Sequence, residues 1–191
     1  MSLSDKTSRR FIRFAVLGLI AVGLGGCFTP LHGTALTSAN GGVSVRENLA
    51  SVKIASVSMA QTGQDRLAHY LQNELAYKLT GGSPDAASVP TRYRLEITVS
   101  ESVQSVIVNT TTGNAESALL LGTADFKLIP VDSDKPVLAA KATATSSYDR
   151  STQRFATIRA ARDSQIRVAT ALAEQIHTRL SAGFASGRLQ R

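Results

Sequence analysis

Arg92-Tyr93-Arg94-Leu95-Glu96-Ile97-Thr98-Val99 sets the architecture of this chain. Tyr93, Leu95, Ile97 and Val99 alternate with Arg92, Arg94, Glu96 and Thr98. That period of two belongs to a strand with one face in a core and the other in water. Downstream, Thr112-Gly113-Asn114 carries turn chemistry. The following stretch puts Ala118, Leu120, Ala124, Phe126 and Leu128 on one face. Asp132-Ser133-Asp134 turns the chain again before Pro136, and Leu138, Ala140, Ala142, Ala144 and Tyr148 then face one way. Three strands joined by tight turns predict an antiparallel meander.

On both sides of the meander the period changes to that of a helix. Residues 152–180 place Phe155, Ile158, Ile166, Ala169, Leu172, Ala173, Ile176 and Leu180 in one sector, with Asp163 spaced to pair with Arg159 or Arg167 opposite. Upstream, Leu67, Leu71, Leu75 and Leu79 recur every four residues beside Ala68, after Thr62 as N-cap and before Gly81-Gly82 as stop. Residues 83–90 read as a loop, and a short strand is expected over 52–57, with Val52, Ile54 and Ser56 alternating. The predicted fold is α+β: a two-layer sandwich in the order β-α-β-β-β-α, with two amphipathic helices on one face of a four-stranded mixed sheet.

The N-terminus reads as an export signal. Arg9, Arg10 and Arg13 precede a small and apolar run from Phe14 to Gly26, too short to span a membrane. Leu24-Gly25-Gly26-Cys27 closes that run on the only cysteine. A thiol directly after the cut accepts a diacylglyceryl group, and the freed amine an acyl chain such as palmitate. The expected organisation is a signal over 1–26, a lipidated tether over 27–42, one domain over 43–182 and a flexible tail over 183–191. Removing 26 of 191 residues leaves 165, enough for one core that buries about 70% of the chain's surface. With Cys27 lipidated no intramolecular disulfide forms, so packing alone holds the domain.

Charge is unevenly spread. Of the net +7, +3 lies in the signal, and eight arginines against Asp163 and Glu174 give residues 150–191 +6. Residues 27–149 then carry −2. A basic C-terminal segment suggests an anionic surface or ligand, and nucleic acid is disfavoured because no aromatic-interleaved basic motif occurs.

No enzyme site emerges. His32, His69 and His177 are far apart and lack metal-ligand spacing, and no nucleophile elbow, P-loop or dinucleotide fingerprint occurs. Neither a metal nor another cofactor is expected. Three features ask for a role. Arg162 sits among Ile158 and Ile166 in the apolar sector of the last helix, and must find a partner or reach water. Arg92, Arg94, Lys127 and Lys141 point to the sheet face away from the helices, with Lys127 and Lys141 close on adjacent strands. Either Asp125 and Glu96 balance them or a phosphate-bearing ligand does. Finally, Val106, Ile107 and Val108 approach Leu119, Leu120 and Leu121 in a hairpin apolar on both sides, which makes Val106, Val108, Leu119 and Leu121 candidates for a partner contact.

These residues resemble the lipopolysaccharide-assembly lipoprotein family LptE (RlpB). Cys27-Phe28-Thr29-Pro30-Leu31-His32-Gly33 is similar to that family's Cys-Gly-Phe-x-Pro-Leu-Tyr-Gly start, without its glycine and with histidine for tyrosine. Tyr148-Asp149-Arg150-Ser151, Phe155-Ala156 and Ala171-Leu172-Ala173 are also similar. The resemblance implies an outer-membrane lipoprotein, lipid-anchored on the periplasmic side. It would plug the LptD β-barrel and assist its assembly in lipopolysaccharide transport to the outer leaflet. It also implies lipopolysaccharide binding through basic residues, for which Lys127, Lys141, Arg92 and Arg94 are the candidates. The alternative is an envelope lipoprotein that binds a small ligand or peptidoglycan without a barrel partner.

Overall fold

The computed structural model describes residues 44–60, 65–83, 88–108 and 115–189, with backbone alone at 65, 106–108, 115 and 116. All belong to the unit Ala35–Arg191. The expected signal, Cys27, the tether, His32, Thr62 and the Thr112-Gly113-Asn114 turn lie outside the described residues. In chain order the elements are α1 (Val45–Ala50), β1 (Val52–Met59), α2 (Asp65–Thr80), β2 (Tyr93–Val108), β3 (Ala115–Pro130), β4 (Leu138–Asp149) and α3 (Arg154–Ala185). The strands form one sheet in the order β1-β2-β3-β4, with β1 parallel to β2 and the other pairs antiparallel. This is the expected α+β sandwich, with one additional short helix.

That helix has a local cause. Ser44 caps α1 by accepting from the Glu47 amide at 3.1 Å, and Leu49 is buried beneath it. Ser44-x-x-Glu47 is a capping-box spacing, the one signal in the sequence for so short an element. The Ser51 carbonyl then accepts from the amides of Arg92 and Tyr93 at 3.0 and 3.3 Å, which ties the entry of β1 to that of β2.

Apolar rows fix the sheet register. Leu95 lies opposite Leu128, Ile97 opposite Phe126 and Val99 opposite Ala124, and the rows continue to Leu138, Ala140 and Ala142 on β4. A slip of one residue would turn every one of these side chains to water. The register corrects the expected hairpin contact: Val108 and Ile107 pair with Ala115 and Ser117, whereas Leu119 and Leu121 lie opposite Gln104 and Ser102. In β1 a register shift between Ile54 and Ser56 re-aims the strand. Val57 and Met59 pack on the core, and Ser56 is exposed.

Both helices cover one face. Leu67, Leu71, Leu75 and Leu79 of α2 are buried, and the helix ends where Gly81 and Gly82 take φ of 62° and 67°. Val168, Leu172, Ile176 and Leu180 of α3 pack into the same core. Gly122 is where the layers come closest: an added Cβ would meet Val168 of α3, Leu172 beside it and Leu67 of α2. Burying each large side chain contributes roughly 1.5–3 kcal/mol.

The last helix runs past its expected end. It continues to Ala185, and Leu189 beyond it is 3% exposed against Gly183. The Tyr93 hydroxyl donates to the Leu189 carbonyl at 2.7 Å, and the Tyr93 and Phe184 rings meet edge to face at 5.4 Å. Residues 183–189 are therefore packed structure rather than the expected flexible tail, because apolar Phe184 and Leu189 close the bottom of the core. Along the outer edge of β4, α3 supplies side-chain donors. Gln175 Nε2 donates to the Thr143 carbonyl at 2.7 Å and Arg167 Nη2 to the Ser147 carbonyl at 2.9 Å, while Arg179 Nη1 donates to the Lys141 carbonyl.

Candidate functional site

The sheet face away from the helices carries rows of side chains across the meander, and the rows differ in chemistry from one end to the other. At the end nearer the β3–β4 turn they are charged. Glu96 lies opposite Lys127, and Asp125 opposite Lys141. Lys141 Nζ reaches Asp125 at 3.5 Å, and Arg94 Nη2 reaches Asp134 at 3.6 Å. Lys127 and Lys141 are thus diagonal neighbours with an acid between them rather than an unrelieved like-charge pair. Arg92 and Lys127 are exposed and make no ion pair among the described residues. Arg94 adds a further point of interest: its Nε is buried and has no acceptor among the described residues. A buried donor without a partner costs about 1–3 kcal/mol.

Toward the β2–β3 turn the same face carries one charged side chain among the described residues, Asp149 opposite Ser117. Its rows read Ser100–Thr123–Thr143, Ser102–Leu121–Thr145 and Gln104–Leu119–Ser147. Leu119 and Leu121 are half-buried islands in a hydroxyl-lined surface. For Val106 and Val108 only the backbone is described, within β2. The structure therefore places the expected basic set and the expected Leu119 and Leu121 at opposite ends of one face. About eight residues of strand separate Lys127 from Leu119, or roughly 27 Å.

A third region surrounds Arg162, which the sequence marks within the apolar sector of the last helix; the exposure of that sector was not legible there. The first turns of α3 extend past the start of α2, and the apolar sector there has no cover among the described residues. Phe155 is 84% exposed, Ile158 45% and Ile166 43%. Arg162 lies between them, exposed to water, which answers the question its position raised. Val103 on the helix-side face of β2 is 47% exposed at the same end. Helical periodicity groups these residues with Ala169, Leu172 and Ile176, so the pattern alone cannot tell the covered half of the sector from the bare half. The concentration of arginines after residue 150 was the available signal.

Where α2 begins, Glu101 is a carboxylate only 8% exposed, and Gln165 Nε2 donates to its two oxygens at 3.0 and 3.1 Å. Farther along, Lys78 Nζ meets Glu174 at 2.6 Å and Glu74 at 3.7 Å. The hydrogen bond to Glu174 is the main cause that raises the Lys78 pKa above its ordinary value, and the same bond lowers that of Glu174. Among the described residues no group of three or more His, Cys, Asp or Glu side chains is placed to hold a metal ion. None of the described helices is long and apolar enough to cross a membrane.

A family model described as LptE, lipopolysaccharide-assembly, matches residues 49–180. Among solved structures, a lipoprotein from Caulobacter crescentus CB15 superposes with a TM-score of 0.57 at 22% identity, over 75% of this chain and 97% of its own. Rare lipoprotein B from Shewanella oneidensis gives a TM-score of 0.39 at 15% identity, over 71% of this chain and 96% of that one. The first of these shows a shared fold. No curated protein matches the chain.

Proposed function

We propose a function from one premise: this chain belongs to the LptE family of lipopolysaccharide-assembly proteins. Members are non-enzymatic envelope lipoproteins. On that footing the protein is an outer-membrane lipoprotein, acylated at Cys27 and held on the periplasmic side. There it plugs an LptD-type β-barrel and assists the barrel's assembly for lipopolysaccharide transport to the outer leaflet. The observation that carries this reading is the family match over residues 49–180, which takes in nearly the whole helix-and-sheet sandwich.

The open sheet face supports it in two ways. Its hydroxyl-lined end, with Leu119 and Leu121, carries Asp149 as its one charge among the described residues and suits a broad protein contact. Its charged end offers Lys127, Lys141, Arg92 and Arg94 to the phosphates of lipid A, where charge-assisted hydrogen bonds are strongest. The buried Arg94 Nε is a donor in want of an acceptor at that end.

Affinity purification of the full chain from detergent-solubilised outer membranes, followed by mass spectrometry, tests the barrel. A large β-barrel recovered in near-equal amount supports the plug. Recovery of the protein alone, in detergent that preserves membrane complexes, favours an envelope lipoprotein that binds a small ligand or peptidoglycan. For the ligand, Lys127→Glu with Lys141→Glu should weaken lipopolysaccharide binding on the order of tenfold or more, given about 1.5–3 kcal/mol per charge-assisted bond. Both side chains are exposed, so the domain should stay folded, with a small fall in the unfolding midpoint because the new carboxylates face Glu96 and Asp125. Unchanged binding by the folded double variant removes these two residues from the site.

A further inference from the structure

The strongest unpartnered feature is the start of α3. Phe155, Ile158, Arg159, Arg162 and Ile166 are all exposed and follow one another at the i, i+3, i+4, i+7 and i+11 spacing of a single helical stripe. The stripe is bare because of length. α3 has 32 residues and α2 has 16, or roughly 48 Å against 24 Å at 1.5 Å per residue. The shorter helix covers the later half of the longer one and leaves its first turns standing alone.

Charge tells what this stripe suits. Arg150, Arg154, Arg159 and Arg162 fall within thirteen residues, are exposed, and have no hydrogen bond or ion pair among the described residues. The acids nearby are Asp149, at the end of β4, and Asp163, which is held by Arg167. Four free guanidinium groups interleave with Phe155, Ile158 and Ile166. The apolar side chains fit an oily layer, and the arginine stems can lie along it while their heads reach phosphates above. A rigid start supports the arrangement. The Ser151 amide donates to Thr157 Oγ1 at 3.1 Å, and that hydroxyl donates back to the Ser151 carbonyl at 3.1 Å.

We propose that the first turns of α3 dock on an anionic lipid surface, with Phe155, Ile158 and Ile166 against the acyl layer and Arg150, Arg154, Arg159 and Arg162 on phosphate headgroups. Chain length allows it: sixteen residues separate Cys27 from Ser44, a reach of at most about 55 Å at ~3.4 Å per residue. The inference rests on the lipid-anchored part of the proposed function and needs no barrel. Co-purification of a barrel and docking on lipid can therefore succeed or fail separately.

The chain contains no tryptophan, so Phe155→Trp in the full chain installs a single reporter at a site already open to water. The protein is reconstituted into vesicles of brominated phosphatidylcholine, with or without phosphatidylglycerol. Indole fluorescence should be strongly quenched and blue-shifted when phosphatidylglycerol is present and little changed without it. Raising the salt concentration should reverse the quenching, since headgroup attraction is screened beyond a Debye length of about 8 Å at physiological ionic strength. Arg154→Glu, Arg159→Glu and Arg162→Glu together should lower the signal to its level in the neutral vesicles, with core amide exchange unchanged. An indole unquenched in both vesicles overturns the proposal, as does equal quenching in both. Protection of the indole only when a barrel partner is added also overturns it and assigns the stripe to that protein.

Discussion

The two ends of this sheet are built on the same alternation yet have different fates. Near the β3–β4 turn, four strands lie under two helices, and Phe126, Leu95 and Leu75 are sealed in a common core. Toward the β2–β3 turn, β1 has stopped at Met59 and α2 has not begun, so β2, β3, β4 and the first turns of α3 stand without them. The boundary falls at Glu101, Gly122 and Ala144, where Leu67, Val168 and Leu172 converge. The lesson is that a residue's pattern states which way it faces, whereas the lengths of neighbouring elements state whether anything meets it there. One end serves stability and the other remains available for contact.

Phenylalanine offers the sharpest test because it occurs at both ends. Phe126→Ala should cost about 3–5 kcal/mol, and Phe155→Ala no more than about 0.5 kcal/mol, in denaturant unfolding. Similar costs at the two positions would erase the distinction. A smaller effect belongs to the boundary itself. Gln165→Ala leaves the Glu101 carboxylate buried without its donor, which should destabilise the protein by about 1–3 kcal/mol. If amide exchange in that variant quickens around 100–108 and 154–165 before it does in α2, the two ends open separately.

The smallest expected effect lies wholly within the covered end. The Lys78 hydrogen bond lowers the Glu174 pKa, so its contribution is present above the ordinary carboxylate range and is lost as pH falls through the lowered value. The raised Lys78 pKa gives the opposite limb: its contribution holds below the ordinary lysine value and is lost as pH rises through the raised one. The Glu174 side chain is 60% exposed, so solvent screening holds the pair to about 1 kcal/mol or less. Glu174→Gln should remove the acid limb and shrink the alkaline one to the smaller part that Glu74 maintains; an acid limb that persists would have another source.

Much of this architecture was legible in the sequence. The alternation from Tyr93 to Val99, the Leu67–Leu79 repeat and the Gly81-Gly82 stop each carry a local physical signal, and all appear in the fold. Other features depend on distant parts of the chain. The β1 register shift that exposes Ser56, the pairing of Leu119 with Gln104 and the seat of Leu189 beneath Tyr93 follow from how the layers fit together. Lys127 and Lys141 lie on the open face as expected, and of the two acids weighed as their balance the register sets Asp125 opposite Lys141 and Glu96 opposite Lys127. The bare stripe of α3 was hidden for the same reason, since helix periodicity carries no information on how far α2 extends.

The donors that α3 sends to β4 have a further consequence. An outermost strand normally leaves every second carbonyl open, and such a row can recruit a foreign strand. Here Arg167, Gln175 and Arg179, spaced eight and four residues apart, occupy the carbonyls of Ser147, Thr143 and Lys141. At these three carbonyls the helix stands in for a fifth strand, which leaves β1 and the part of β2 beyond it as the more open edge. That makes strand addition one-sided. With one edge partly occupied, this bias disfavours half of the geometries by which sheets join edge to edge into fibres.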